Sequence, residues 1–307
     1  MTLGLFTVQL LNGAQRGILL FLVAAGLTLV FGVMDFINLA HGVQYMLGAY
    51  LAAALVGVTG SFALGLLAAM AAALAIGLAL EFLVFRRLYA RDHLDQVLAT
   101  FGLILFFNQG VKLAFGAAPL SVPVPEALSG TVALADGILY PIYRFALIGA
   151  GLGVGALLWF LVERTRAGMH VRAGASNAPM AAALGVDIGK LFRHVFAFGT
   201  MLAAFAGALA APILSVEPGM GDTILILAFV VIVIGGVGSI RGAFVAALLV
   251  GLVDTLGRAF MNDLLRLFMS GPNARSAGAA LSSMLIYLLM ALVLAFRPEG
   301  LLPARGK

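Results

Sequence analysis

Five polar side chains interrupt an otherwise apolar stretch between Phe31 and Tyr50, FGVMDFINLAHGVQYMLGAY: Asp35, Asn38, His41, Gln44 and Tyr45. Carboxamides, an imidazole and a phenol together offer donors and acceptors to a small polar solute. In hydrocarbon such groups are costly unless they face a bundle interior or a water-filled route. A break between two apolar runs therefore makes Asn38, His41, Gln44 and Tyr45 candidates for lining a translocation path. The competing reading is a solvated turn in which Asp35, Asn38 and His41 cap the flanking helices. His41 has no evident acidic partner, which argues against a proton relay.

A second break, GGVGSIRG at residues 235–242, sets Gly235, Gly236, Gly238, Gly242 and Arg241 between two apolar halves. A helix, a glycine-rich turn and a short helix is one way transporters bring backbone groups to a central site, so Gly235, Gly236 and Gly238 join the path candidates. The likeness of the two breaks suggests an inverted repeat. Close packing is the alternative, since Gly238 and Gly242 keep a small-xxx-small spacing. For Gly13 with Gly17, and Gly149 with Gly153, packing is the better reading.

A third element lies in the polar segment Glu163–His194. Within ASNAPMAAALGVDI, Asn177 can cap a helix, Pro179 falls in its first turn, and Gly185 supplies a left-handed end. The result is a two-turn helix with a small surface, Met180, Ala181, Ala182 and Ala183, suited to another protein's groove. A plain interfacial connector is the alternative.

Catalytic chemistry finds no support. No nucleophile–base pair or paired carboxylates stand out. The fragment GVDIGKL lacks the rest of a phosphate-cradling G-x-x-x-x-G-K-[ST] loop. Cysteine is absent and the four histidines are scattered without ligand spacing, so neither a metal nor any other cofactor is expected.

The elements that position these residues must cross a bilayer. Hydrophobic residues make up 63% of the chain and charged ones 10%, with a mean hydropathy of +1.13. Crossing about 30 Å of hydrocarbon takes about 20 helical residues. The uncharged runs are Ile18–Met34, Val43–Leu80, Phe145–Val162, Val195–Val216, Thr223–Ile240 and Ser276–Phe296. The second is too long for one crossing and divides at GVTGS, residues 57–61. Around the second break we expect two short helices and a cytoplasmic turn.

Lys and Arg fix the expected orientation, because they concentrate in cytoplasmic loops. Arg86, Arg87 and Arg91 mark one such loop; Arg164, Arg166, Arg172, Lys190 and Arg193 mark a second. With Arg241, Arg297, Arg305 and Lys307, 12 of the 18 basic residues lie inside. Threading then gives about nine crossings, an outside N-terminus that is a retained span rather than a signal peptide, and a cytoplasmic C-terminus. It also requires Asp254–Arg275 to be external despite three arginines. Residues 116–140 carry no Lys or Arg and form an external loop. Arg16, Lys112 and Glu81 are expected to snorkel from span ends, and Asn108 and Gln109 to bond between helices. The fold expected is all-α: one polytopic transmembrane bundle over residues 1–307, with eight to nine crossings and two short or broken helices near the Gly-rich turn.

Four stretches carry a family likeness: GLTLVFGVMDFINLAHGVQYMLGAY (26–50), RTRAGMHVRAGASNAPMAAALGVDI (164–188), IGGVGSIRGAFVAALLVG (234–251) and FRPEGLL (296–302). In this order, over nearly the whole chain, the sequence resembles the membrane-spanning subunits of branched-chain amino acid ABC importers, a group that includes related sugar permeases. The likeness implies an inner-membrane permease working by alternating access. It implies a second related permease, two cytoplasmic ATPase subunits and an extracytoplasmic binding protein as partners, alongside membrane lipid and without nucleic acid. It further implies that residues 163–194 hold the helix that couples to the ATPases, with Arg172, Ala173, Asn177, Met180, Ala181, Ala182 and Gly185 in that role. Branched-chain amino acids lead among substrates; other amino acids, urea and short amides stay open. The rival is an ion-driven secondary transporter or channel. Such proteins commonly hold an intramembrane acid, and none is evident mid-span in this sequence.

Overall fold

The computed structural model describes residues 3–135 and 138–304; Arg305 and Lys307 lie outside them. Ten α-helices form among the described residues: α1 Leu3–Met34, α2 His41–Thr59, α3 Phe62–Leu83, α4 His93–Phe115, α5 Ile142–Arg164, α6 Arg166–Ala183, α7 Ile188–Ala210, α8 Met220–Gly235, α9 Ile240–Leu265 and α10 Gly271–Phe296. Eight are long and apolar enough to cross a membrane. At 16 residues α8 spans about 24 Å, short of the hydrocarbon thickness. The polar α6 is a loop helix. A hairpin, β1 Thr131–Ala135 with β2 Ile138–Pro141, partly orders the α4–α5 connection.

Helix α1 is the axis of the bundle. From Ile18 to Leu29 nearly every side chain is buried, as expected of a helix that is apolar all round. Helices α5, α7, α8 and α9 pack around it, and α2 and α3 complete the set by packing on α7.

Glycines set the helix spacing. A Cβ at Gly48 of α2 would lie 2.1 Å from the Ala204 carbonyl oxygen of α7, and one at Gly42 would lie 2.2 Å from that of Gly221. Gly17 of α1 meets Ala247 O of α9 at 2.8 Å in the same sense, so the Gly13–Gly17 pair packs as expected. The Gly149–Gly153 pair does not. No other element among the described residues lies within 4 Å of a Cβ at either position, because α5 turns Leu147, Gly151 and Leu158 inward instead.

Helix α9 overturns two expectations. It is 26 residues long rather than short, and it carries Asp254 inside the bundle rather than in an external segment. The charge that suggested a loop is compensated by arginines on two helices.

Candidate functional site

The first break begins where Asp35 takes a left-handed φ of 50° and ends α1. Asp35 is exposed, but Asn38, His41, Gln44 and Tyr45 are buried within the chain. The turn is therefore not solvated at Asn38 or His41, and neither caps α2: its N-cap is Ala40, without a side-chain bond. Instead the His41 ring crosses to α1, where Nε2 lies 3.0 Å from the Val23 carbonyl. Gly26 admits it, since a Cβ there would come within 3.1 Å of the ring.

Among the described residues, neither polar atom of the Asn38 amide has a hydrogen-bond partner, and neither does Thr28 Oγ1, while the Gln44 amide lies beside the His41 ring. Buried polar atoms normally find a partner, so this cluster is the candidate contact for a polar solute. Acceptors and donors are both represented, all on uncharged groups.

Two residues that the sequence offered without a role hold the break in place. Gln96, at the start of α4, accepts from the Ile37 N–H (3.3 Å) and donates to the carbonyls of Arg91 (3.1 Å) and Leu88 (3.4 Å). Phe36 packs edge-on against Phe85, which rests on Phe196 of α7 with centroids 4.2 Å apart. Glu81 does not snorkel. It is buried, receives the Tyr89 hydroxyl (3.2 Å) and pairs with Arg193 of α7 (3.3 Å). Burial, reinforced by the Glu81 carboxylate, pushes the Tyr89 hydroxyl pKa upward and keeps it a donor.

The second break packs against other backbone. Gly236 and Gly238 have φ of 102° and 78°, and Gly238 touches Gly32 in the last turn of α1. Ser239 caps α9 through the Gly242 N–H (3.0 Å). The end carbonyls of α8 are met from the C-terminal segment: Leu301 N–H donates to Ile234 O (2.8 Å) and Leu302 N–H to Gly235 O (3.1 Å). The FRPEGLL stretch thus closes α8, drawing Gly235 and Gly236 to it, while Gly238 rests on Gly32 of α1; none of the three meets the Asn38 cluster.

The loop element folds much as its sequence suggests. Helix α6 kinks at Asn177, whose Oδ1 accepts from the Met180 N–H (2.8 Å) and restarts the helix. It closes on Gly185, φ 92°, with Val186 N–H to Ala181 O (3.0 Å) and Gly185 N–H to Ala182 O (2.9 Å), the paired bonds of a Schellman end. Met180, Ala182 and Ala183 are exposed, as is Leu184, 80% accessible and missed in the sequence. Ala181 is a correction. It faces inward and is buried, so it belongs to the packed side of the helix. Arg172 places Nη1 on the Val162 carbonyl at the end of α5, and Ala173 is half-buried beside it. Asp187 caps α7 through the Lys190 N–H (2.9 Å) and pairs with the Lys190 ammonium (3.2 Å), which lowers its carboxyl pKa.

Asp254 completes the inventory. Its two oxygens take Arg16 of α1 (2.7 Å) and Arg258 (2.9 Å), so Arg16 is an ion-pair partner rather than a free snorkelling cation.

A multi-pass helical bundle, broken twice at polar or glycine-rich turns and carrying a capped helix in its longest polar loop, defines a membrane transport subunit. The chain belongs to the family of branched-chain amino acid transport system permease components, which it matches over residues 9–294. It is 29% identical to the high-affinity branched-chain amino acid transport system permease protein BraD of Pseudomonas aeruginosa, covering 96% of this chain and 94% of that protein. It is 27% identical to LivH of Escherichia coli K12, a permease protein of the same kind of system (84% and 87%). The ribose import permease RbsC of the same strain is 26% identical (81% and 78%). No solved structure matches.

Proposed function

We propose that this chain is the transmembrane permease subunit of an ATP-driven importer that moves amino acids, branched-chain ones foremost, by alternating access. The observation that carries the reading is the exposed end of α6. A helix fixed at one end by Asn177 and at the other by Gly185 offers Met180, Ala182, Ala183 and Leu184 to solvent. Exposed apolar side chains on a rigid polar-loop helix suit a groove in a cytoplasmic ATPase subunit.

In this reading two such ATPases hydrolyse ATP while the permease itself catalyses nothing. A second related permease and an extracytoplasmic binding protein complete the assembly in the inner membrane. Residues 163–194 form the coupling loop of a single membrane domain, with the N-terminus outside and the C-terminus cytoplasmic, because Arg86, Arg87, Arg91 and the loop arginines favour the cytoplasmic side. Asn38, His41, Gln44 and Tyr45 line the path. Their neutral donors and acceptors suit a zwitterion, which offers both an ammonium to acceptors and a carboxylate to donors. Gly235, Gly236 and Gly238 act as the turn about which α8 and α9 are set.

Ala182→Glu tests the coupling role, since seating that helix end would then require burying an unpaired carboxylate. Co-purification of the ATPases and uptake should both fall while membrane abundance stays normal. Unchanged ATPase recovery with unchanged uptake removes the proposal, as does uphill uptake by the isolated subunit in an ion gradient.

A further inference from the structure

A groove of about 850 Å³ lies apart from the Asn38 cluster, bounded by α1, α5, α6, the turn before α9 with the start of that helix, and the C-terminal segment. Its walls are apolar: Phe21, Leu152, Ala156, Trp159, Phe244 and Val245. Its mouth is polar, with Arg172, Arg241, Glu163 and Ser176.

Length is the first clue to the occupant. Along α5 the groove runs from Leu152 to Glu163, eleven residue steps, or about 16 Å of helix. This is about half of a 30 Å hydrocarbon core and thus the depth of one leaflet. Trp159, the chain's one tryptophan, lies one turn before the charged mouth and is 42% exposed, the position of an interfacial aromatic.

Charge is the second. Arg241 is paired with Glu163 at 3.0 Å, so the two cancel. Arg172 remains, its guanidinium on the Val162 carbonyl and without a carboxylate partner among the described residues, and Arg164 stands over the Trp159 ring at 5.7 Å. The mouth is net positive, the shaft is hydrocarbon, and basic pockets between transmembrane helices select acidic head groups. The side chains that would close the shaft are absent at Gly155 and small at Ala156. We propose that this groove is a binding site for an anionic phospholipid, which lays an acyl chain along α5 and sets its phosphate between Arg172 and Arg241.

The site does not depend on the transport reading, and its test needs no ATPase. The full chain, purified and stripped of lipid, is titrated with phosphatidylglycerol or phosphatidylcholine of identical acyl chains and followed by native mass spectrometry. Near a membrane surface each basic residue contributes about 1 kcal/mol, so the anionic lipid should be favoured about fivefold. Arg172→Gln should bring the two lipids to parity. Ala156→Phe fills the shaft from an exposed position and should lower retention of both lipids, with the thermal midpoint unchanged. Glycerol phosphate, which has the head group without the chains, should not compete. Equal retention of the two lipids by the parent, an undiminished preference in Arg172→Gln, or undiminished retention in Ala156→Phe would each overturn the site. Competition by glycerol phosphate would make it a soluble-anion site instead. Should Arg172→Gln fail to fold, the Ala156→Phe result decides.

Discussion

Replacing Arg16 and Arg258 together by Gln isolates the Asp254 carboxylate, whose side chain is 1% exposed against 40% and 53% for its two partners. The asymmetry sets the expected order of effects. Without both arginines a buried anion has no counterion, which costs about 3–5 kcal/mol. Either single change leaves one charge-assisted bond in place, so about 1.5–3 kcal/mol is lost. Removing the acid as well should recover most of the double mutant's loss, because a Leu at position 254 leaves no charge to desolvate and the exposed cations are already gone. Denaturation midpoints of the purified chain in detergent would rank the parent and the Arg16→Gln, Arg258→Gln, double and triple (with Asp254→Leu) variants. A triple variant as weak as the double would refute the reasoning. It would show that the loss arises from the shape of the α1–α9 contact, where Gly17 meets the Ala247 carbonyl, and not from charge.

Gly48→Ala should destabilise the chain by about 1–3 kcal/mol, because its Cβ would meet the Ala204 carbonyl at 2.1 Å and backbone cannot rotate aside; Gly57→Ala, in open space, should be neutral or stabilising by thermal denaturation. Gly185→Val should weaken ATP-dependent uptake at normal membrane abundance, since a β-branched residue resists φ of 92°, whereas Gly185→Asn should retain more activity. Asp187→Ala should raise the rate of limited proteolysis in the 184–190 segment near neutral pH. The Asp187 pKa is lowered in the folded chain, so its contribution is present above the unfolded carboxyl pKa of about 3.9 and lost as pH falls through the lower folded value; the parent and the variant should begin to draw together below about pH 4 and coincide only below that folded value.

Features written in local chemistry were legible in the sequence. The GVTGS split appears as Gly60 at φ 63° closing α2 and Ser61 accepting from the Leu64 N–H to open α3. The ends of the loop helix appear where Asn177, Pro179 and Gly185 set them, since caps act within one turn. Features that depend on distant partners were not. Asp254 and Glu81 read as loop or snorkelling charges because Arg16 and Arg193 stand 238 and 112 residues away, and hydropathy counts a charge without its counterion, even where, as with Arg258, one lies a single turn along the same helix. Which alanine of Met180–Ala183 faces inward depends on how α6 docks, and four small residues carry no period that tells. A G-x-x-x-G spacing says that a helix can be approached closely, not that it is; Gly13 and Gly17 are met by α9, while Gly149 and Gly153 face away from the chain.

The buried pairs also bear on how motion would travel. Arg193 stands one turn into α7, five residues after that helix begins and directly behind the loop element, and its partner Glu81 receives the Tyr89 hydroxyl. Tyr89 rests edge-on against Phe36, inside the first break, and Gln96 ties the neighbouring Ile37 to the same 88–91 segment. A displacement of α6 that shifts the start of α7 would therefore act on the backbone carrying Asn38 through two ion-paired or hydrogen-bonded links and one ring contact. Spatial continuity alone does not establish energetic coupling. A double-mutant cycle on Glu81→Gln and Ala182→Glu, read in ATP-dependent uptake, measures it: additive losses would mean that the loop reaches the break by another route, and losses well short of additive would place Glu81 on it.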